Sequence, residues 1–240
     1  MIKNLEKPHL PWLVTAIAAA LIAGLTGLKT AHAASLNEIR ISHSTADDDN
    51  NFYELAGSPG ESLDGLTVLT ISGEFAPGQI DFASNLGGLS IPADGYFLAA
   101  DNGGFYPNTD LTTGHDYFGS PTSFLLVTGF TGMQGDDLDT NNDGTLDTTP
   151  WTSIVDAVSM LDGDANPDFA YGGGPLVPPD GNFPAAHAYR LPNGTGGWLS
   201  LADAFTNTAA DTPGVANVPE PGCAILGLLG MLGLAIVRRR

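Results

Sequence analysis

The run Asp139-Thr140-Asn141-Asn142-Asp143-Gly144-Thr145-Leu146-Asp147 places oxygen-bearing side chains at its first, third, fifth and ninth positions and glycine at its sixth. In so tight a turn alternate side chains converge, and convergent carboxylate and amide oxygens suit a hard divalent cation such as calcium. The glycine supplies the turn, and the Thr145 carbonyl adds a backbone ligand. Asp139, Asn141, Asp143, Thr145 and Asp147 are therefore the candidate metal ligands, with Asp136, Asp137 or Asp156 available to complete the shell. The twelfth place, where a bidentate Glu belongs, is Pro150. Affinity is accordingly expected to be weak, in the millimolar class of extracellular modules. The bland alternative is a solvated Asp/Asn/Gly turn.

Catalytic equipment is sparse. His43, His115 and His187 show no zinc-ligand spacing and read as surface or loop residues. There is no Gly-x-Ser-x-Gly elbow and no phosphate-binding Gly-Lys-Ser loop, and the single cysteine, Cys223, lies near the C-terminus. Carboxylate pairs for glycoside hydrolysis, being distant in sequence, stay open. Tyr106, Trp151 and Trp198 form either a sugar platform or part of a core. A second acidic run, Asp47-Asp48-Asp49-Asn50, lacks a glycine at the required place and reads as a solvated loop. The chain is thus expected not to be an enzyme, the rival being a secreted hydrolase acting on polysaccharide or nucleic acid.

Both ends carry processing signals. Lys3 and Lys7 precede an apolar stretch from Leu13 to Leu25, and Ala31-His32-Ala33 stands before Ala34. This is the pattern of a secretory signal peptide over 1–33, a signal helix cleaved after Ala33. At the other end Val218-Pro219-Glu220-Pro221 leads into an apolar run from Cys223 to Val237 and then Arg238-Arg239-Arg240. That run is shorter than the roughly 20 residues of a comfortable spanning helix. The arginines predict a cytoplasmic C-terminus for the precursor. The order of motif, short helix and basic cluster over 218–240 resembles the PEP-CTERM sorting signal of Gram-negative bacteria. The resemblance implies signal peptidase and exosortase as processing partners and the inner membrane as a stage of the precursor only. It also implies a destination at the cell surface or outside the cell, in the envelope or an exopolysaccharide matrix.

Without these ends the chain is strongly acidic. Six of the eight basic residues lie in them, leaving Arg40 and Arg190, whereas only Glu6 and Glu220 of the 27 acids do. Residues 34–217 therefore carry 25 acids against two bases, a formal charge near −23. Nucleic acid and anionic lipid are poor partners for such a surface, and cations are good ones.

Residues 34–217 suffice for one domain with a sizeable core. Short apolar runs separated by Gly, Pro, Asn and Asp predict an all-β domain, with strands at Leu36–Ser42, Phe52–Ala56, Leu66–Ser72, Gln79–Phe82, Tyr96–Ala100, Phe124–Thr128 and Ile154–Leu161. In the first, Ile39 and Ile41 point one way and Arg40 the other. Phe124–Val127 and Ile154–Met160 are apolar on both faces, as strands covered from two sides would be, which favours a sandwich. Leu199–Phe205 reads as a short helix, and Gly163–Pro184, with five prolines, as a long surface loop.

Three patterns in this layout resemble the lamin-tail domain, an immunoglobulin-like β-sandwich. They are Leu36-Asn37-Glu38-Ile39; Phe52-Tyr53-Glu54-Leu55 followed by Leu63-Asp64-Gly65-Leu66-Thr67-Val68; and Thr212-Pro213-Gly214-Val215-Ala216-Asn217. Asp64 and Leu66 replace the usual Ser and Trp of the second. The resemblance implies a binding or structural module without shared catalytic residues.

Overall fold

The computed structural model describes residues 33–41, 50–117, 120–201 and 211–217. The expected signal helix, apart from Ala33, and the expected sorting helix lie outside the described residues, as do His43 and Asp47 to Asp49. Eleven strands and no helix make up the described chain: β1 (Ser35–Arg40), β2 (Phe52–Ala56), β3 (Leu66–Ser72), β4 (Ile80–Asn85), β5 (Tyr96–Ala100), β6 (Leu111–Thr112), β7 (Thr122–Thr128), β8 (Ser153–Met160), β9 (Leu176–Val177), β10 (His187–Leu191) and β11 (Gly197–Leu201).

They form two sheets, ordered β11-β10-β1-β2-β5-β6 and β4-β3-β7-β8-β9. Every pairing is antiparallel except the short outer ones, β5 with β6 and β8 with β9. The all-β expectation holds, and each expected strand is found with its ends shifted by at most a few residues. The helix expected at Leu199–Phe205 does not start there, because Trp198 to Leu201 pair with Arg190 to His187 as β11; residues 202–205 lie outside the described residues. Strand β10, which pairs with β11, and the short strands β6 and β9 are not among the expected strands.

The two sheets share one core. Ile39, Tyr53, Leu55, Phe97, Ala99, Ala188 and Trp198 of the first meet Leu66, Val68, Phe82, Phe124, Leu126, Val158 and Met160 of the second. Burial on that scale, at about 25 cal/mol per Å² of apolar surface, is what holds a disulfide-free domain together. A bulge between Leu36 and Glu38 keeps both Leu36 and Ile39 in this core despite their odd spacing.

Each sheet is also covered on its outer face. Leu69, Ile71, Leu125, Val127 and Ala157 pack beneath Leu138 and Tyr171, contributed by the connections that flank β8. The 163–184 segment is therefore not purely surface: Tyr171 and Val177 are buried, and Val177 pairs with Met160. On the first sheet Phe52, Leu98 and Ala100 pack beneath Tyr106. The outward face of β1 is covered as well, so Arg40, on the side opposite Ile39 and Ile41, is 1 % exposed.

Candidate functional site

The outward face of the first sheet carries a buried polar layer. Strand register sets Glu38 opposite Glu54 on β2 and opposite Tyr189 on β10, and Arg40 opposite Phe52 and His187. Glu38, Arg40, Glu54 and His187 therefore share one face, and all four are buried. What seals them is a strap, residues 211–217, laid across the strands.

The strap supplies partners one by one. The amide of Thr212 donates to Glu38 Oε1 at 2.8 Å, and its hydroxyl bridges Glu38 Oε2 at 2.7 Å and Asn217 Oδ1 at 2.6 Å. The Gly214 amide donates to Glu54 Oε2, and the Asn37 amide group donates to Glu54 Oε1 at 2.7 Å. Asn217 donates to the carbonyl of Arg190 at 2.9 Å, tying the strap to β10. Gly214 has φ +75°, and the Val215 amide closes the Pro213-Gly214 turn on the Thr212 carbonyl at 3.1 Å.

Asp211 completes the layer as an ion pair with Arg40, Nη1 to Oδ1 2.9 Å, while its other oxygen accepts from the Tyr106 hydroxyl at 3.0 Å. His187 Nε2 lies 2.7 Å from Glu38 Oε1, and its Nδ1 is 3.8 Å from Asp211 Oδ1. His187, expected on the surface, is instead in the middle of this network because β10 is an inner strand. Burial, joined by the neighbouring charge of Glu38, pushes the Glu54 carboxyl well above its ordinary range. Burial also raises Asp211, although His187, Arg40 and Tyr106 oppose the rise.

Glu38, His187 and Asp211 bring three ligand atoms within 4.8 Å of one another. A metal there would sit against the Arg40 guanidinium, which already supplies the positive charge that Asp211 needs. The arrangement is a buried ion-pair network.

The expected cation loop lies between β7 and β8. Asp139 is fully buried, accepting from the Asp143 amide at 3.1 Å, the Gly144 amide at 2.8 Å and the Tyr171 hydroxyl at 2.7 Å. Burial works against its charge, but these donors outweigh it and hold the carboxyl below its ordinary range. Among the described residues the two arginines are engaged elsewhere, Arg40 with Asp211 and Arg190 with Asp156, so no cationic side chain balances Asp139. Asn141 Oδ1 accepts from the Asp143 amide at 3.1 Å, Asp143 Oδ1 from the Thr145 amide at 2.8 Å, and Asp147 Oδ2 from Thr140 at 2.9 and 2.6 Å. The backbone turns through left-handed conformations at Asn142 (φ 54°) and Gly144 (φ 83°). A Cβ on Gly144 would also come within 2.4 Å of the Phe169 ring, so glycine is required twice over. Asp136 and Asp137 cap nearby amides of Met133 and Asp139, and Asp156 is committed to Arg190 and the Leu36 amide.

A second acidic group was not foreseen. Glu74, in the β3–β4 connection, meets Asp162 and Asp168 beyond β8, all three within 4.8 Å. Burial, reinforced by the Asp162 charge, pushes Asp168 up to about 6. No local pattern announces this cluster, because Glu74 is far from the other two in sequence.

Tyr106 and Trp198 are buried, which makes them core residues and not a sugar platform. His115 stacks on Phe82 with ring centroids 4.4 Å apart, and burial lowers its pKa. Of the processing residues, Ala33 and Ala34 are described, whereas Ala31, Val218 to Pro221 and Arg238 to Arg240 lie outside. No protein-family model, no curated protein and no solved structure matches the chain.

Proposed function

We propose that this chain is the precursor of an exported, sorted surface protein whose working part is a single non-catalytic, lamin-tail-like module. Residues 1–33 direct export, 34–217 form the module, and 218–240 direct sorting. The observation that carries the module reading is the convergence of the three motifs on one buried layer. Asn37 and Glu38, Glu54, and the Thr212, Gly214 and Asn217 of the ending hydrogen-bond directly to one another. A family that keeps these residues would be keeping one closure device, which gives the resemblance a physical reason.

Calcium fits the 139–147 loop. The donor set is all oxygen, the backbone is already turned, and the ionised Asp139 lacks a cationic side chain among the described residues. Bound there, calcium would tie the β7–β8 connection to the core through Asp139 and Tyr171. The hydrolase alternative has the burial of Glu38, His187 and Asp211 against it.

The test is to express the full chain in a Gram-negative host that carries an exosortase and to weigh the exported product. A product starting at Ala34 and lacking Arg238 to Arg240 is expected. Incubating that product with glycans and with DNA, with and without calcium, tests the rest, and turnover of either polymer would sink the module reading.

A further inference from the structure

Glu61, in the connection between β2 and β3, reaches back to the start of the described chain. Its Oε1 accepts from the backbone amide of Ala33 at 2.7 Å and from that of Ala34 at 3.1 Å. Its Oε2 accepts from the Ser58 amide at 3.1 Å, and the Glu61 amide returns a bond to the Ser58 carbonyl at 2.9 Å, so the carboxylate is held from both sides of its loop. Ala33 is exposed whereas Ala34 is 1 % exposed and belongs to the main core. The boundary between surface and interior thus falls on the Ala33–Ala34 peptide bond. This bond is the one that the Ala31-His32-Ala33 pattern marks for cleavage.

We propose that Glu61 is the docking site for the α-ammonium group of the processed chain, created when the Ala33–Ala34 bond is hydrolysed. The inference rests on reading residues 1–33 as a signal peptide. Hydrolysis adds one water across the bond. Ala33 departs as a carboxylate with the leader, and the Ala34 nitrogen takes up hydrogen to become a primary ammonium. The Ala33 contact is lost, and the Ala34 contact changes from a neutral amide donor to a charged one, the stronger class of hydrogen bond. The released terminus is thereby fixed at the head of β1, two residues before the bulge that aligns Glu38.

Other titratable groups face this end of the chain. Asp94 and Tyr96 line a cleft of about 370 Å³ beside Ala33, and Asp156, paired with Arg190, meets the chain at the Leu36 amide. Asp94 adds negative charge beside the new cation, and the Asp156–Arg190 pair is internally balanced.

The composition makes the test clean, because Lys3, Lys7 and Lys29 are the only lysines and all precede Ala34. In the processed chain the α-amino group is the single primary amine. The exported product of the full chain is purified, its first residue is fixed by mass, and acylation of its one amine is timed from about pH 6 to 10. An ordinary α-amino group titrates at about 7.7–8.0. Docking on Glu61 is expected to raise that value and to slow acylation at pH 8 by about tenfold relative to E61Q, with E61D intermediate. A pairing that raises the folded-state value contributes stability below the ordinary value and loses it as pH climbs through the raised one. The wild-type melting temperature should therefore fall by roughly 3–6 °C from pH 8 to 10 beyond any fall in E61Q. A product that begins at Ala34 but reacts like E61Q overturns the docking alone. A product that begins at any other residue overturns it together with the cleavage reading.

Discussion

Glu38 and Glu54 stand directly opposite one another across the β1–β2 register, on the same face and both without measurable exposure. Two buried carboxylates in that position repel if both ionise. The pair is accommodated unequally. Glu38 gathers donors from the Thr212 amide and hydroxyl and Glu54 from Asn37 and Gly214, while burial, joined by the charge of Glu38, raises the Glu54 carboxyl well above its ordinary range.

Removing Glu38 leaves the Thr212 amide and His187 without their buried acceptor. Glu38→Ala is expected to cost about 3–5 kcal/mol, the scale of breaking a buried ion-pair network. That corresponds to a fall of roughly 10 °C in melting temperature. A fall under about 2 °C in a calorimetric scan would show that the layer contributes little.

Glu54→Gln behaves differently. Its amide nitrogen must confront either the Asn37 side-chain donor or the Gly214 amide, both of which now donate to Glu54. A cost of about 1–2 kcal/mol at pH 5 follows from one unsatisfied contact. The variant should also lose part of the pH dependence described next, since Gln cannot ionise.

Most of the shifted carboxyls are shifted upward. Glu54 and Asp211 are raised, and Asp81 and Asp168 are pushed up to about 6, by burial first in each case. Such groups bind more protons folded than unfolded between their ordinary and raised values. Stability from them is fully present below about pH 4 and lost as pH rises through the raised values. The melting temperature in chelator should therefore drop by roughly 4–8 °C from pH 5 to 8. Asp139 and Asp64, which are lowered, act in the opposite sense at lower pH. Surface self-repulsion acts in the same direction as the buried groups but is screened by salt, so the drop should persist at high salt. A flat or rising curve would contradict the assignment.

Calcium at millimolar concentration is expected to raise the melting temperature and to give a calorimetric binding signal. Asp143→Ala and Gly144→Ala should abolish both, the second because a Cβ there meets Phe169 and strains a left-handed residue. Asp168→Asn is the control for diffuse binding to acidic surface and should leave the signal in place. A wild-type protein that shows neither heat nor stabilisation reduces the loop to a turn.

The strands were legible because their alternation is local. Leu66 to Ile71 and Phe124 to Thr128 carry β-branched and apolar residues throughout, and turn residues such as Asp64-Gly65 mark their ends. The buried polar layer was not legible, because a strand bearing Glu38 and Arg40 on one side and Ile39 and Ile41 on the other reads as half-solvated. Its cover comes from residues 211–217, more than 150 positions away, and no window along the sequence contains both. β10 and β11 escaped for a related reason: His187 and Arg190 look like surface residues until Glu38 and Asp156 are seen beside them. The cation loop, whose residues are consecutive, could be read directly. Its burial at Asp139 could not, since that depends on Tyr171 arriving from beyond β8.

The strap also governs when the molecule can finish folding. A chain is synthesised from its N-terminus, so Glu38 and Arg40 emerge near the start and Asp211 and Thr212 near the end. Until those last residues are delivered, Glu38 lacks the Thr212 donors and Arg40 lacks the Asp211 carboxylate, and the interval spans almost the entire domain. Contacts so widely separated along the chain impose high contact order, which slows closure. The contacts that close the polar layer over β1 therefore form only once the final segment arrives.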